Sequence, residues 1–198
     1  MIRAGVMWVV LAGSAGADGL PALFDVRGVA AGDVLNIRAE PSANAPIIGQ
    51  IARNAAGVEV VAASGDGKWG LVNVGDGQGH VALRFLARQP GPDWFELQTA
   101  MVCSGTEPFW SLTYDPAQSV ASFATPDADT AFEVTNRWPR TEYQPVAGLG
   151  LGAQSFVFLQ AQSCNDGMSD RAFGLTANLF LSGDAGPFTL SGCCTLQP

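Results

Sequence analysis

The chain has 198 residues, 47% of them hydrophobic, and a formal net charge of −8 at pH 7. That acidity argues against nucleic acid and anionic membrane surfaces as partners, because both repel a polyanion. No stretch reaches the roughly 20 apolar residues that a transmembrane helix needs.

The first residues, Met1-Ile2-Arg3, an apolar run from Ala4 to Leu11, and Ala15-Gly16-Ala17, form the pattern of a secretory signal peptide cut after Ala17. A soluble protein of the periplasm or the outside of the cell is expected, since the leader contains no cysteine for lipid attachment. The remainder divides by charge. From Asp18 to Pro92 basic and acidic residues nearly balance, whereas from Asp93 onward only Arg137, Arg140 and Arg171 oppose a run of acids. All four cysteines also lie after residue 93. Two separately built units are therefore expected, 18–88 and 94–198, joined by a linker at 89–93 whose Gln89-Pro90-Gly91-Pro92-Asp93 composition suits one.

In the first unit short strands are expected at Val34–Arg38, Ile47–Ala52, Val58–Val61, Trp69–Val74 and Gly79–Val81, with turns at Glu40–Asn44, Ser64–Gly67 and Gly75–Gly77. Ile37, Ile48, Ile51, Val58, Val60, Leu71, Val74 and Val81 are the expected core of a small half-open barrel. Arg38 is a candidate contact for a ligand carboxylate, or a strand-end residue paired with a nearby acid. Trp69 is a candidate stacking face for a ligand, or a packing residue after a hairpin turn. His80, the one histidine, reads as structural rather than catalytic.

These residues carry a resemblance. Asp33-Val34-Leu35-Asn36-Ile37-Arg38-Ala39-Glu40-Pro41-Ser42, Ile48-Gly49-Gln50-Ile51, Val58-Glu59-Val60, Lys68-Trp69-Gly70-Leu71-Val72 and Gly79-His80-Val81 resemble the bacterial SH3 domain across roughly 24–88. The resemblance implies an SH3-like barrel that binds cell-wall peptide, peptidoglycan or a protein partner in the envelope. His80 stands where that family usually has Trp or Tyr.

The second unit again reads as β, with strands expected at Phe95–Cys103, Phe109–Tyr114, Val120–Ala124, Ala131–Thr135, Ser155–Gln162, Ala172–Leu181 and Phe188–Cys194, and with Gly148–Gly152 as a hairpin or crossing loop. The fold class is all-β, the second unit being an antiparallel, disulfide-bonded barrel or sandwich. Phe156, Phe158, Leu175, Leu179, Leu181, Phe188 and Leu190 are its expected interior. Adjacent Cα atoms lie only about 3.8 Å apart, so a Cys193–Cys194 bond is disfavoured. On an extended strand the two side chains point to opposite faces and seek different partners, which leaves two pairings with Cys103 and Cys164 open. Adjacent cysteines without a nearby histidine do not suit zinc, so no metal is expected.

Cys103-Ser104-Gly105-Thr106-Glu107-Pro108-Phe109-Trp110, Cys164-Asn165-Asp166-Gly167-Met168-Ser169-Asp170 and Gly192-Cys193-Cys194 resemble an exported bacterial family without an agreed activity and, more distantly, small β domains of the heat-shock-lipoprotein and lysozyme-inhibitor type. That resemblance implies the pairs Cys164–Cys193 and Cys103–Cys194. Glu107, Trp110, Asp166, Asp170 and Arg171 are the candidate ligand contacts. Glu107 and Asp166 could form the acid and base of a cell-wall hydrolase. Read structurally, Glu107-Pro108 and Asp166-Gly167 shape turns and Asp170 pairs with Arg171. No triad of serine, histidine and acid is assembled from one histidine, no Gly-rich loop opens a helix for a nucleotide, and the spacing of Asp166 and Asp170 lacks the oxygen cluster calcium needs. The expectation is a non-enzymatic envelope protein without a cofactor. An inhibitor of a basic envelope enzyme such as lysozyme and the hydrolase are the alternatives.

Overall fold

The computed structural model describes residues 19–141, 146–183 and 186–198. The leader at 1–17 and its cut after Ala17 lie outside the described residues. No helix among the described residues is long and apolar enough to cross a membrane.

The first unit is built of eight short strands in two small sheets. Strands β4 (Val58–Val60), β1 (Ala22–Val26) and β8 (Leu86–Arg88) form one; β3 (Ile47–Ala52), β2 (Val34–Arg38), β7 (Gly77–Ala82), β6 (Trp69–Val74) and β5 (Ala62–Ala63) form the other. Their inner faces enclose Phe24, Val26, Leu35, Ile37, Val60, Val72 and Val81. The buried positions alternate along β1 and β2, as one-sided burial of a pleated strand requires. Two expected core residues are not in this core. Ile48 is 45% exposed, and Leu71 lies on the outer face of β6 while its neighbour Val72 points inward. Strand β1, unforeseen in the sequence, joins the sheet through Ala22–Val60 and Phe24–Arg88 pairings.

The second unit is a closed barrel of eight antiparallel strands: β9 (Met101–Thr106), β10 (Phe109–Asp115), β11 (Val120–Ala124), β12 (Asp129–Trp138), β13 (Val146–Leu151), β14 (Ser155–Cys164), β15 (Phe173–Gly183) and β16 (Gly186–Leu196). Each strand pairs with the next, and β16 pairs back onto β9 to close the ring. An eight-stranded barrel is just narrow enough for side chains to fill. Met101, Leu112, Tyr114, Leu149, Val157, Leu159, Leu175, Leu179 and Leu181 do so here.

Three expectations for this unit are corrected. Gly148–Leu151 belongs to strand β13, not a loop, and is buried throughout. A Cβ on Gly148 would lie 3.3 Å from both Trp138 and Phe158, so this glycine makes room for large side chains on both neighbouring strands. Phe156 and Phe158 face outward, because Val157 and Leu159 take the inner positions of the same alternation; Phe188 lies on the inner face, opposite Leu181, but near the end of the barrel, where it is 43% exposed. The first strand begins at Met101, not Phe95. Residues Trp94–Glu96 form a 3₁₀ turn that ends at Leu97 in the left-handed region, with φ of 57°. Trp94 and Leu97 pack into the barrel core, and Leu97 accepts a hydrogen bond from the buried Tyr114 hydroxyl at 2.7 Å.

Cys103 is bonded to Cys194 and Cys164 to Cys193. Cys103 and Cys194 face each other directly in the β9–β16 register, inside the barrel. Cys193, on the outer side, holds the end of β14. Two disulfides suit an oxidising compartment.

Candidate functional sites

Two clefts bring sequence candidates together. The first lies on the N-terminal unit and measures about 360 Å³. Its walls include Val29, Asp33 and Asn36 from the segment around β2, Trp69 at the start of β6, and Arg84 and Phe85 from the 3₁₀ turn Leu83–Phe85. Arg38 and Trp69, candidates from separate strands, both line it. The Arg84 guanidinium lies over the Phe85 ring, 4.8 Å from its centre, so a cation and an aromatic face are held side by side. Among the described residues Arg38 pairs with no acid. It donates instead to the Ala45 carbonyl at 2.6 Å, which fixes the side chain against the Glu40–Asn44 turn. His80 pairs with Arg38 across β2 and β7 and lines neither cleft; its Nδ1 is buried with no partner among the described residues.

The second cleft, about 650 Å³, opens where the two units meet. Asp76 of the first unit lines it with Thr106, Phe109, Trp110, Asp166, Met168 and Arg171 of the second. Trp110, Asp166 and Arg171 are thus brought together, whereas Glu107 sits exposed in the β9–β10 turn and does not line it. The loop from Asn165 to Ala172 forms one wall, and its internal bonds define what Asp166 does. The Asp166 carboxylate accepts hydrogen bonds from the N–H groups of Met168 and Ser169, at 3.0 and 2.9 Å, and from the Ser169 hydroxyl at 2.8 Å. Burial pushes its pKa up, but those donors and Arg171 outweigh it and hold the group below the usual carboxylate value. A carboxylate kept ionised and engaged by its own loop is poorly suited to deliver or take a proton. The Asp166 carbonyl in turn accepts from the Thr106 hydroxyl at 3.0 Å, tying the loop to β9.

The same loop docks the units together. Asn73 on β6 places its side-chain amide against residue 172 as a strand would, donating to the Ala172 carbonyl at 2.9 Å and accepting from the Ala172 N–H at 2.8 Å. The Asp170 N–H donates to the Asp76 carbonyl at 2.8 Å. Asp170 does not pair with Arg171; the ion pairs among the described residues are Arg27–Asp25, Lys68–Asp66 and Arg88–Asp93. Each bond at Ala172 is worth about 1 kcal/mol net. Asn73→Ala is therefore expected to weaken the contact by about 1–2 kcal/mol, read as a lower melting temperature of the whole chain. An unchanged melt would show that the loop does not hold the units.

A third contact across the boundary was not foreseen. Glu59 on β4 accepts the Leu196 N–H on its Oε1 at 2.9 Å. Burial dominates there and raises its pKa from the ordinary 4.5 to about 7, against the opposing pull of the Leu196 N–H and of Arg171. The GTEPFW and GCC glycines likewise have a packing role. A Cβ on Gly105 would lie 2.3 Å from the Trp110 ring nitrogen, and one on Gly192 would lie 2.0 Å from the Ser104 carbonyl and 2.7 Å from Trp110. Only glycine at both positions lets the indole lie inside the barrel, where it stacks on Phe123 with ring centres 6.3 Å apart.

Among the described residues no group of three His, Cys, Asp or Glu side chains is close enough to hold a metal ion. No family model, no curated protein and no solved structure matches the chain.

Proposed function

We propose that the protein is a non-enzymatic, exported protein of the bacterial envelope, in which residues 18–88 form a bacterial SH3-type module that binds cell-wall peptide or a protein partner. The observation that carries this reading is the cleft that gathers Arg38, Trp69, Arg84 and Phe85 on one face of the first unit. Side chains of this kind suit an extended peptide: Trp69 and Phe85 offer apolar faces, and the arginines offer partners for a carboxylate. The purified protein is expected to be retained on peptidoglycan or to bind its stem peptides by titration calorimetry. Trp69→Ala should lower that affinity about tenfold, the loss of one aromatic anchor. Absence of binding by the unaltered protein to sacculi, stem peptides and envelope extracts alike would remove the proposal.

A second reading rests on a different surface. Asp127, Asp129 and Glu133 are exposed together on β12 and the turn before it, giving the barrel an acidic wall. Such a wall would steer the barrel onto a basic enzyme of the envelope and inhibit it. Lysozyme activity that does not change in excess protein rules this out for lysozyme.

A further inference from the structure

Arg171 is a cation without a partner. Its guanidinium forms no ion pair among the described residues, and its Nε is buried with no acceptor. Glu59 and Asp166 act on it only from a distance, and the Asp166 carboxylate is already engaged by its own loop. A buried donor left unmatched is costly, so an orphan of this kind points to an acceptor that arrives from outside. Arg171 lines the cleft of about 650 Å³ between the units, a size that suits a small ligand. Ser104 and Ser111 stand opposite each other in the β9–β10 register and line the same cleft, two hydroxyls side by side. Phe109 and Met168, 55% and 67% exposed, give it an apolar face. Asp76 lines it from the first unit, and its carbonyl accepts the N–H of Asp170, the residue before Arg171. A carboxylate and a guanidinium are thus carried by segments in contact, yet the two do not pair.

We propose that this cleft binds a short peptide with free ends, its carboxylate on Arg171, its ammonium towards Asp76 and an apolar side chain against Phe109 and Met168. Charge selects this ligand over a simple anion. Two acids, Asp76 and Asp166, line the cleft with one arginine, so a phosphate or a polyanion meets net repulsion, whereas a zwitterion offers each sign its complement. The fork of a guanidinium holds a carboxylate through two parallel N–H donors, and the orphaned Nε is one of the donors such a pair can use. Ser104 and Ser111 offer hydroxyls to the peptide bond. Arg171 also borders the groove on the other side of its loop, with Gln78 and Cys164. That groove has no acid to hold an ammonium, and its one aromatic, Phe173, is buried. The site shares no lining residue with the Trp69 cleft, so neither proposal rests on the other.

Titration calorimetry of the full chain with alanyl-leucine is expected to give a dissociation constant of about 0.1–1 mM, the range a ligand of this size reaches. Amidating the peptide's carboxylate and Arg171→Gln should each weaken binding about tenfold, and together no more than either alone, because both remove the same pair. Acetylating its amine, or Asp76→Asn, should weaken binding about threefold, as suits a more exposed pair. Phe109→Ser, at an exposed position, should cost about fivefold, and it serves as the second variant if Arg171→Gln fails to fold. Trp69→Ala should leave alanyl-leucine binding unchanged even where it abolishes retention on peptidoglycan. No heat at about 10 mM peptide overturns the inference. So does binding that the amidated peptide keeps, that inorganic phosphate displaces, that Trp69→Ala abolishes, or that folded Arg171→Gln and Phe109→Ser variants leave intact.

Discussion

Replacing Cys103 and Cys194 together by alanine is expected to destabilise the barrel more than replacing Cys164 and Cys193. The two bonds close loops of 91 and 29 residues. In the chain-entropy account, removing the longer crosslink frees the unfolded state by about 4.6 kcal/mol and removing the shorter by about 3.6 kcal/mol. Position sharpens the difference. Cys103 and Cys194 lie opposite each other where the last strand meets the first, the pairing most distant in sequence and the one that turns an open sheet into a barrel. Both sulfurs are also buried in the core, so their loss removes packing as well as the crosslink. Urea unfolding of the two double variants, each keeping the other bond, measures the order. A drop of about 10–15 °C in melting temperature is expected for the Cys103→Ala/Cys194→Ala protein. A larger loss from the Cys164→Ala/Cys193→Ala protein would place the critical crosslink at the β14 end and not at the seam.

How much of this was legible in the residues depends on the face each one serves. The all-β class and most strand positions follow from period-2 patterning and turn residues, and β9, β10 and β11 alternate cleanly. The choice of face does not follow. Phe156-Val157-Phe158-Leu159 is apolar on both sides of the strand, so periodicity alone leaves open which pair is interior. Val157 and Leu159 fit a filled barrel; the phenylalanines were displaced to the outside. β13 was hidden because glycine is depleted in strands, yet Gly148 and Gly150 are there to admit cross-strand neighbours. The meeting of Arg38 with Trp69 needed the tertiary fold, as did the separation of Glu107 from Asp166. Contacts between the units were the least legible. Asn73 acts by imitating a backbone amide, and nothing in its type or spacing announces that.

Glu59 gives the join between the units a dependence on pH whose sign can be worked out. In the unfolded chain its carboxyl ionises at the ordinary 4.5; in the folded protein it does so near 7, chiefly because it is buried against the end of β16. Between these values the folded chain holds a proton that the unfolded chain has lost. Stability therefore falls as pH rises from about 4.5 to about 7 and levels off above, by about 3 kcal/mol at most. The acids with lowered values, Asp25, Asp66, Asp115 and Asp166, act in the opposite sense and at lower pH: their contribution is present above 3.8 and lost below it. Glu59→Gln keeps an oxygen for the Leu196 N–H and removes the charge. The variant should match the unaltered protein at pH 4.5 and melt several degrees higher at pH 8, since each kcal/mol shifts a chain of this size by about 2–4 °C. Glu59→Ala, which leaves the Leu196 N–H without its acceptor, should lose stability at pH 4.5, where the neutral side chain keeps that hydrogen bond without the cost of burying a charge. If instead Glu59→Gln lowers the melting temperature at pH 8, then Arg171 holds the ionised carboxylate more firmly than burial opposes it, and the join is an electrostatic one.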